Sequence, residues 1–114
     1  MSRMARARTD LLQGTLDLLI LRTLTLEPQH GWGIGRRISQ ITRGTFDVKP
    51  GSMFPALKRL EEKGLIASEW RESENKRQAK YYQLTKSGRR HVETALANWN
   101  RIARAIGWAI EATS

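Results

Sequence analysis

The sequence predicts a mostly α-helical fold that carries one small β-hairpin and closes on a long C-terminal helix. Three observations predict it. Apolar residues recur at helical spacing in three short segments before Gly64. The period then changes to strand-like alternation over residues 65–84. From Thr85 onward one stretch keeps a helical apolar spacing almost to the C-terminus.

The first helix runs from Asp10, with Leu12, Leu16, Leu19, Ile20 and Leu24 forming a wide apolar face. Thr9 or Asp10 can cap its start, and Glu27-Pro28 ends it, because a residue before proline is pushed out of the helical region. The second helix spans His30-Gly-Trp-Gly-Ile-Gly-Arg-Arg-Ile-Ser-Gln-Ile41, where Ile34, Ile38 and Ile41 fall at i, i+4 and i+7 and Arg36 and Arg37 turn outward. Its glycines imitate a dinucleotide-binding loop. Arg36, however, occupies the slot of the last glycine, and a helix rather than a strand precedes it, so no cofactor role follows.

Residues 42–49 read as a connector in which Thr45, Phe46 and Val48 could make a short extended piece. Pro50 and Gly51 then punctuate the chain, Ser52 is the expected N-cap of a third helix, and Met53, Ala56, Leu57 and Leu60 turn to the core. The outer face of that helix holds Ser52, Phe54, Pro55, Lys58, Arg59 and Glu62, and it stops at Lys63-Gly64 with glycine in the cap position. Residues 65–71 and 79–84 read as the two strands of a hairpin, with Lys76, Arg77 and Lys80 at or near its polar turn. Thr85 caps the last helix, about 40 Å long at about 1.5 Å per residue. In it Val92, Leu96, Trp99, Ala103, Ile106 and Ile110 are spaced 4-3-4-3-4, a seam that needs a partner.

Composition narrows the function. The chain has 114 residues and suits one domain; 20 Lys and Arg against 11 Asp and Glu leave a net charge of +9. Such an excess favours a polyanionic partner, since neutralising phosphates and releasing their counterions dominates those affinities. With no Cys there is neither a disulfide framework nor a thiolate site, and His30 and His91 alone cannot close a metal shell, so no metal and no cofactor is expected. No apolar run approaches the roughly 20 residues that span a bilayer. The basic start lacks a signal-peptide layout, and the expected setting is the cytoplasm. No carboxylate pair, His-nucleophile arrangement or phosphate loop emerges, so an enzyme is not expected; Ser73-Glu-Asn-Lys76 matches a serine-lysine motif only by coincidence, lying in a hairpin tip.

Three helices, a hairpin and a long helix make the element order of a winged helix-turn-helix followed by a C-terminal dimerisation helix. The expected layout is a basic arm over residues 1–9, a DNA-binding unit over 10–85 and a dimerisation helix over 86–114. The third helix would enter a DNA major groove about 12 Å wide, while the hairpin, as the wing, would meet the backbone or adjacent minor groove.

Ordered motifs then make a specific resemblance: Leu11-Leu-Gln-Gly-Thr-Leu-Asp-Leu-Leu-Ile-Leu21, His30-Gly-Trp-Gly-Ile34, Gly51-Ser-Met-Phe-Pro-Ala-Leu57, Arg59-Leu-Glu61, Gly64-Leu-Ile66, Lys80-Tyr-Tyr82, and Leu84-Thr85 through Gly88-Arg89. The chain resembles the PadR family of transcriptional regulators, in its short form, from about Leu11 to Ile110. The resemblance implies a homodimeric repressor that binds a near-palindromic operator and is often released by a small aromatic or hydrophobic effector. It raises Ser52, Phe54, Pro55, Lys58, Arg59, Lys76, Arg77 and Lys80 as DNA contacts. The dimer interface would be Val92, Leu96, Trp99, Ala103, Ile106 and Ile110, with an effector cavity beside Trp99, Ile102 and Ala103. Arg3, Arg6 and Arg8 could track a minor groove. Where the family commonly has Tyr, and Leu-Tyr, this chain has Trp32, and Met53-Phe54; Phe54 lacks a phenolic hydroxyl, so any contact it makes is apolar. The alternative is a basic protein that binds RNA or DNA without sequence preference. A membrane-surface role for the last helix is weaker, because its seam is narrower than a lipid-facing stripe.

Overall fold

The computed structural model describes residues 14–114. Thr9, Asp10, Leu12 and the arm with Arg3, Arg6 and Arg8 lie outside the described residues. Residues 14–24 are helical and are here α1. They set Ile20, Leu21 and Leu24 into the core, with Leu16 and Leu19 packed at its margin. The helix yields to a turn before Glu27-Pro28, and the Leu21 carbonyl accepts from both the N–H and the hydroxyl of Thr25, at 3.1 and 3.0 Å.

A two-residue strand, β1 (Gln29–His30), leads directly into α2 (Gly31–Ile41). His30 caps α2: its Nδ1 accepts from the Gly33 N–H at 2.9 Å, taking one of the donors that a helix start leaves unpaired. The buried stripe of α2 is Gly31, Ile34 and Ile38; Ile41, the last residue of the helix, is 49% exposed, so the expected apolar row stops one residue short.

Residues 42–49 contain no strand. Phe46 and Val48 instead pack as half-buried residues against the core. The third strand comes from β1, which pairs Gln29 with Tyr82 and His30 with Tyr81. A strand of two residues shows no alternation, so periodicity could not reveal it.

Helix α3 (Pro50–Glu62) starts three residues earlier than expected. Its N-cap is Lys49, without a side-chain bond, and Pro50 holds the first helical position. A proline there sacrifices only an N–H that would be unpaired anyway, and its fixed φ suits the helix. Ser52 is therefore inside the first turn, its N–H donating to the Lys49 carbonyl at 3.0 Å. Met53, Ala56, Leu57 and Leu60 are buried as the spacing predicts. The helix closes with Gly64 at φ +74°, the Gly64 N–H donating to Glu61 and the Leu65 N–H reaching back to Leu60 at 3.0 Å.

The hairpin is β2 (Ile66–Glu72) and β3 (Gln78–Leu84), in register from Ile66 with Leu84 to Glu72 with Gln78. The antiparallel sheet has the order β1-β3-β2. Ile66, Tyr82 and Leu84 complete the core from its inner face.

Thr85 then caps α4 (Lys86–Thr113), accepting from the Gly88 N–H at 2.9 Å while its hydroxyl donates to the Gly64 carbonyl at 2.7 Å. Here α4 crosses the chain so closely that a Cβ on Gly88 would collide with the Leu65 carbonyl. Val92 is buried and Leu96 packs against the core; every residue after Leu96 is exposed. The radius of gyration is 15.8 Å, against about 13 Å for a compact chain of this length. The difference reflects the free length of α4.

Candidate nucleic-acid interface

The outward face of α3 presents Ser52, Phe54, Pro55 and Lys58, all exposed, because the four core residues turn the helix that way. Lys58 belongs to no ion pair among the described residues. Phe54 is 52% exposed, and its ring approaches α2 at Gly31, where a Cβ would stand 2.9 Å from the ring edge. Glycine at 31 is what lets the start of α2 close on Phe54.

Arg59 is placed differently. Its side chain is 31% exposed, and its guanidinium donates to the Asp17 carboxylate of α1 at 2.8 Å. Adjacent helical residues point about 100° apart, so Lys58 faces outward while Arg59 ties α3 to α1. Arg59 is a positioning residue in this arrangement.

At the hairpin tip the Ser73 N–H donates to the Arg77 carbonyl at 2.7 Å and the Lys76 N–H to the Ser73 carbonyl at 2.9 Å. Lys76 adopts φ +58°, a left-handed position usually given to glycine. Lys76 and Arg77 are exposed and form no ion pair among the described residues.

Lys80 is not at the tip. It lies within β3 opposite Trp70, its Nζ 3.7 Å from Glu61 and 5.8 Å from the centre of the Tyr82 ring. Glu61, in the last turn of α3, also accepts from the Ser68 hydroxyl at 2.6 Å. One carboxylate thus clasps both strands of the hairpin. Burial, and secondarily Glu61, push the Tyr82 phenol above the ordinary tyrosine pKa. Phe54, Lys58, Glu61, Glu62, Lys80 and Tyr82 line one cleft between α3 and the hairpin. Glu61 was not among the expected site residues, although its spacing from Phe54 and Lys58, at i+7 and i+3, puts it on their stripe.

The seam on α4 divides. Val92 is 3% exposed and Leu96 packs on the same core, so these two are largely used within the protomer. Trp99, Ile106 and Ile110, with Ile102 beside them, are 45, 54, 62 and 41% exposed, and Ala103 is open as well. No helix among the described residues is long and apolar enough to cross a membrane.

The family model described as the transcriptional regulator PadR-like family matches residues 20–94. A transcriptional regulator from Clostridium thermocellum is similar in structure, with a TM-score of 0.77 and 26% identity, covering 86% of this chain and 95% of that one. A PadR family transcriptional regulator from Eggerthella lenta has a TM-score of 0.75 and 28% identity, covering 96% and 95%. The transcriptional regulator YqjI of Escherichia coli is 32% identical over 80 residues, 70% of this chain; the match spans 37% of YqjI's own length.

Proposed function

The chain belongs to the PadR-like family of transcriptional regulators, and on that premise we propose that it is a repressor that binds a near-palindromic operator as a homodimer. The carrying observation is the pairing of an exposed α3 face with a hairpin whose tip cations have no carboxylate partner among the described residues. Lys58, Lys76 and Arg77 are free to neutralise phosphates, and Ser52, Phe54 and Pro55 lead α3 into the major groove. Lys80, half-spent on Glu61, is the weakest of the cationic contacts. The hairpin acts as the wing. Two copies pair through Trp99, Ala103, Ile106 and Ile110, which supports a two-fold operator, because the symmetry of the protein is mirrored in its half-sites. Trp99, Ile102 and Ala103 at that junction would line a cavity for a small hydrophobic effector. Residues 10–85 do the reading, residues 86–114 the pairing, and the site of action is the cytoplasm.

The test is retardation of the promoter fragment upstream of the protein's own gene across a salt series, with unrelated duplex as competitor. Preferential binding that falls steeply with salt is expected. Lys58→Ala and Arg77→Ala should each weaken binding and lower the salt slope by about 1. Equal affinity for every duplex would establish sequence-indifferent binding instead.

A further inference from the structure

A second aromatic surface lies away from α4. Trp32 in the first turn of α2, Phe54 near the start of α3 and Trp70 on β2 are 66, 52 and 67% exposed. All three line one cleft of about 500 Å³ between the helices and the inner face of the wing, with Tyr82 also in its wall. Scattered exposed aromatics need no explanation, but three converging on one concave site do. Among the described residues no two of the three pair as rings; Trp32 stacks on His30 and carries the Arg36 guanidinium at 4.9 Å, yet stays largely exposed, so ring surface is left open. The charges are one-sided. Arg77 and Lys80 line the cleft and no carboxylate does; Glu61, in the wall of the neighbouring cleft, pairs with Lys80 and acts on Tyr82.

We propose that this cleft binds a flat, fused-ring aromatic anion, and that the bound molecule and DNA exclude each other. The rings of Trp32 and Trp70 supply stacking faces, and Arg77 supplies the charge for a carboxylate, sulfonate or phosphate on the ring system. The volume is in the range of small-molecule sites. A duplex is the poorer occupant of the ring faces, because its bases are already stacked on one another; a free planar molecule is not. Exclusion rests on the DNA-reading surface proposed above, since Phe54 and Arg77 belong to both. This site is separate from the α4 seam, so release would come from direct competition at the reading surface.

The test uses the full chain and anthraquinone-2-sulfonate as the probe, first without DNA, following tryptophan quenching. Saturable binding is expected, with the flat cation proflavine at least tenfold weaker. Trp32→Ala and Trp70→Ala, both at exposed positions, should each weaken the anion about tenfold with unchanged circular dichroism, while Trp108→Ala, at an exposed position far along α4, leaves it unaltered. In retardation assays the anion should raise the apparent operator Kd in proportion to its concentration. Equal binding of proflavine, or loss of binding in Trp108→Ala but not in Trp32→Ala, overturns the site. Binding that leaves the operator Kd unchanged overturns the exclusion. A chain that takes up the anion yet retards no DNA overturns the repressor reading while the cleft stands.

Discussion

Tyr82 shows how one side chain joins the core to the proposed DNA-reading surface. It is 6% exposed, pairs with Gln29 of β1 and Ser68 of β2 in the sheet, and lines the cleft next to Lys58. Burial first and the Glu61 charge second make its ionised form costly, so its pKa in the folded protein lies above the ordinary 10.0. A raised value means the folded state holds the proton more tightly than the unfolded chain does. The resulting stability is complete below pH 10.0 and is lost as the pH rises through the folded pKa. Wild-type protein should therefore lose stability relative to Tyr82→Phe as the pH is taken upward from 10, in denaturant melts of the two proteins. Parallel pH curves would show that the phenol is not held out of water. Phe54 is the contrasting case: a large apolar ring left half in solvent, seated so close to Gly31 that a side chain there would push the ring aside.

At the scale of elements, α3 is held by two charged side chains of opposite sign. Arg59 fastens it to α1 through Asp17, and Glu61 fastens it to the wing through Ser68 and Lys80. Lys58 directly precedes Arg59 in sequence and belongs to no ion pair among the described residues. Glu61→Gln should keep an acceptor for Ser68 and release Lys80. The stability cost is expected to be about 1 kcal/mol or less, the worth of a partly exposed pair. Because Lys80 would then be available to phosphate, the salt slope of DNA binding should steepen by up to about 1, with weaker discrimination between operator and unrelated duplex. An unaltered slope would show that Glu61 does not restrain Lys80. Helical spacing makes the core stripe of α3 legible; it does not separate Arg59 from Lys58, because only α1 packed alongside decides which of two neighbouring cations finds a carboxylate.

For the whole molecule the decisive feature is a helix longer than the core it leaves. The principal extents are 55 × 32 × 26 Å, and α4 carries exposed Trp99, Ile102, Ile106 and Ile110 beyond its last contact with the core. Leaving these side chains in water is unfavourable by roughly 1.5–3 kcal/mol for each one that could be fully buried, which is the argument for a second copy. Ile106→Glu should yield a folded monomer by light scattering and lose preferential operator binding, since Ile106 has no role in the protomer core. Leu96→Glu is a poorer probe, because Leu96 packs against the protomer's own core. A persistent dimer in Ile106→Glu would move the interface elsewhere.

The sequence by itself determined the architecture. Periodicity separated helices from hairpin, Gly64 and Thr85 marked the boundaries of α3 and α4, and Met53, Ala56, Leu57 and Leu60 faced the core as their spacing required. Those are local and periodic signals, readable without knowing what packs on what. Tertiary structure decided the rest. It made Gln29–His30 a strand through its partner on β3, began α3 at Pro50, took Val92 and most of Leu96 out of the free seam, and turned Arg59 and Lys80 toward carboxylates. Apart from the start of α3, which Pro50 suits locally, each depends on a neighbour distant in the chain, such as Asp17 for Arg59 at a separation of 42 residues, and no pattern along one segment encodes the position of another.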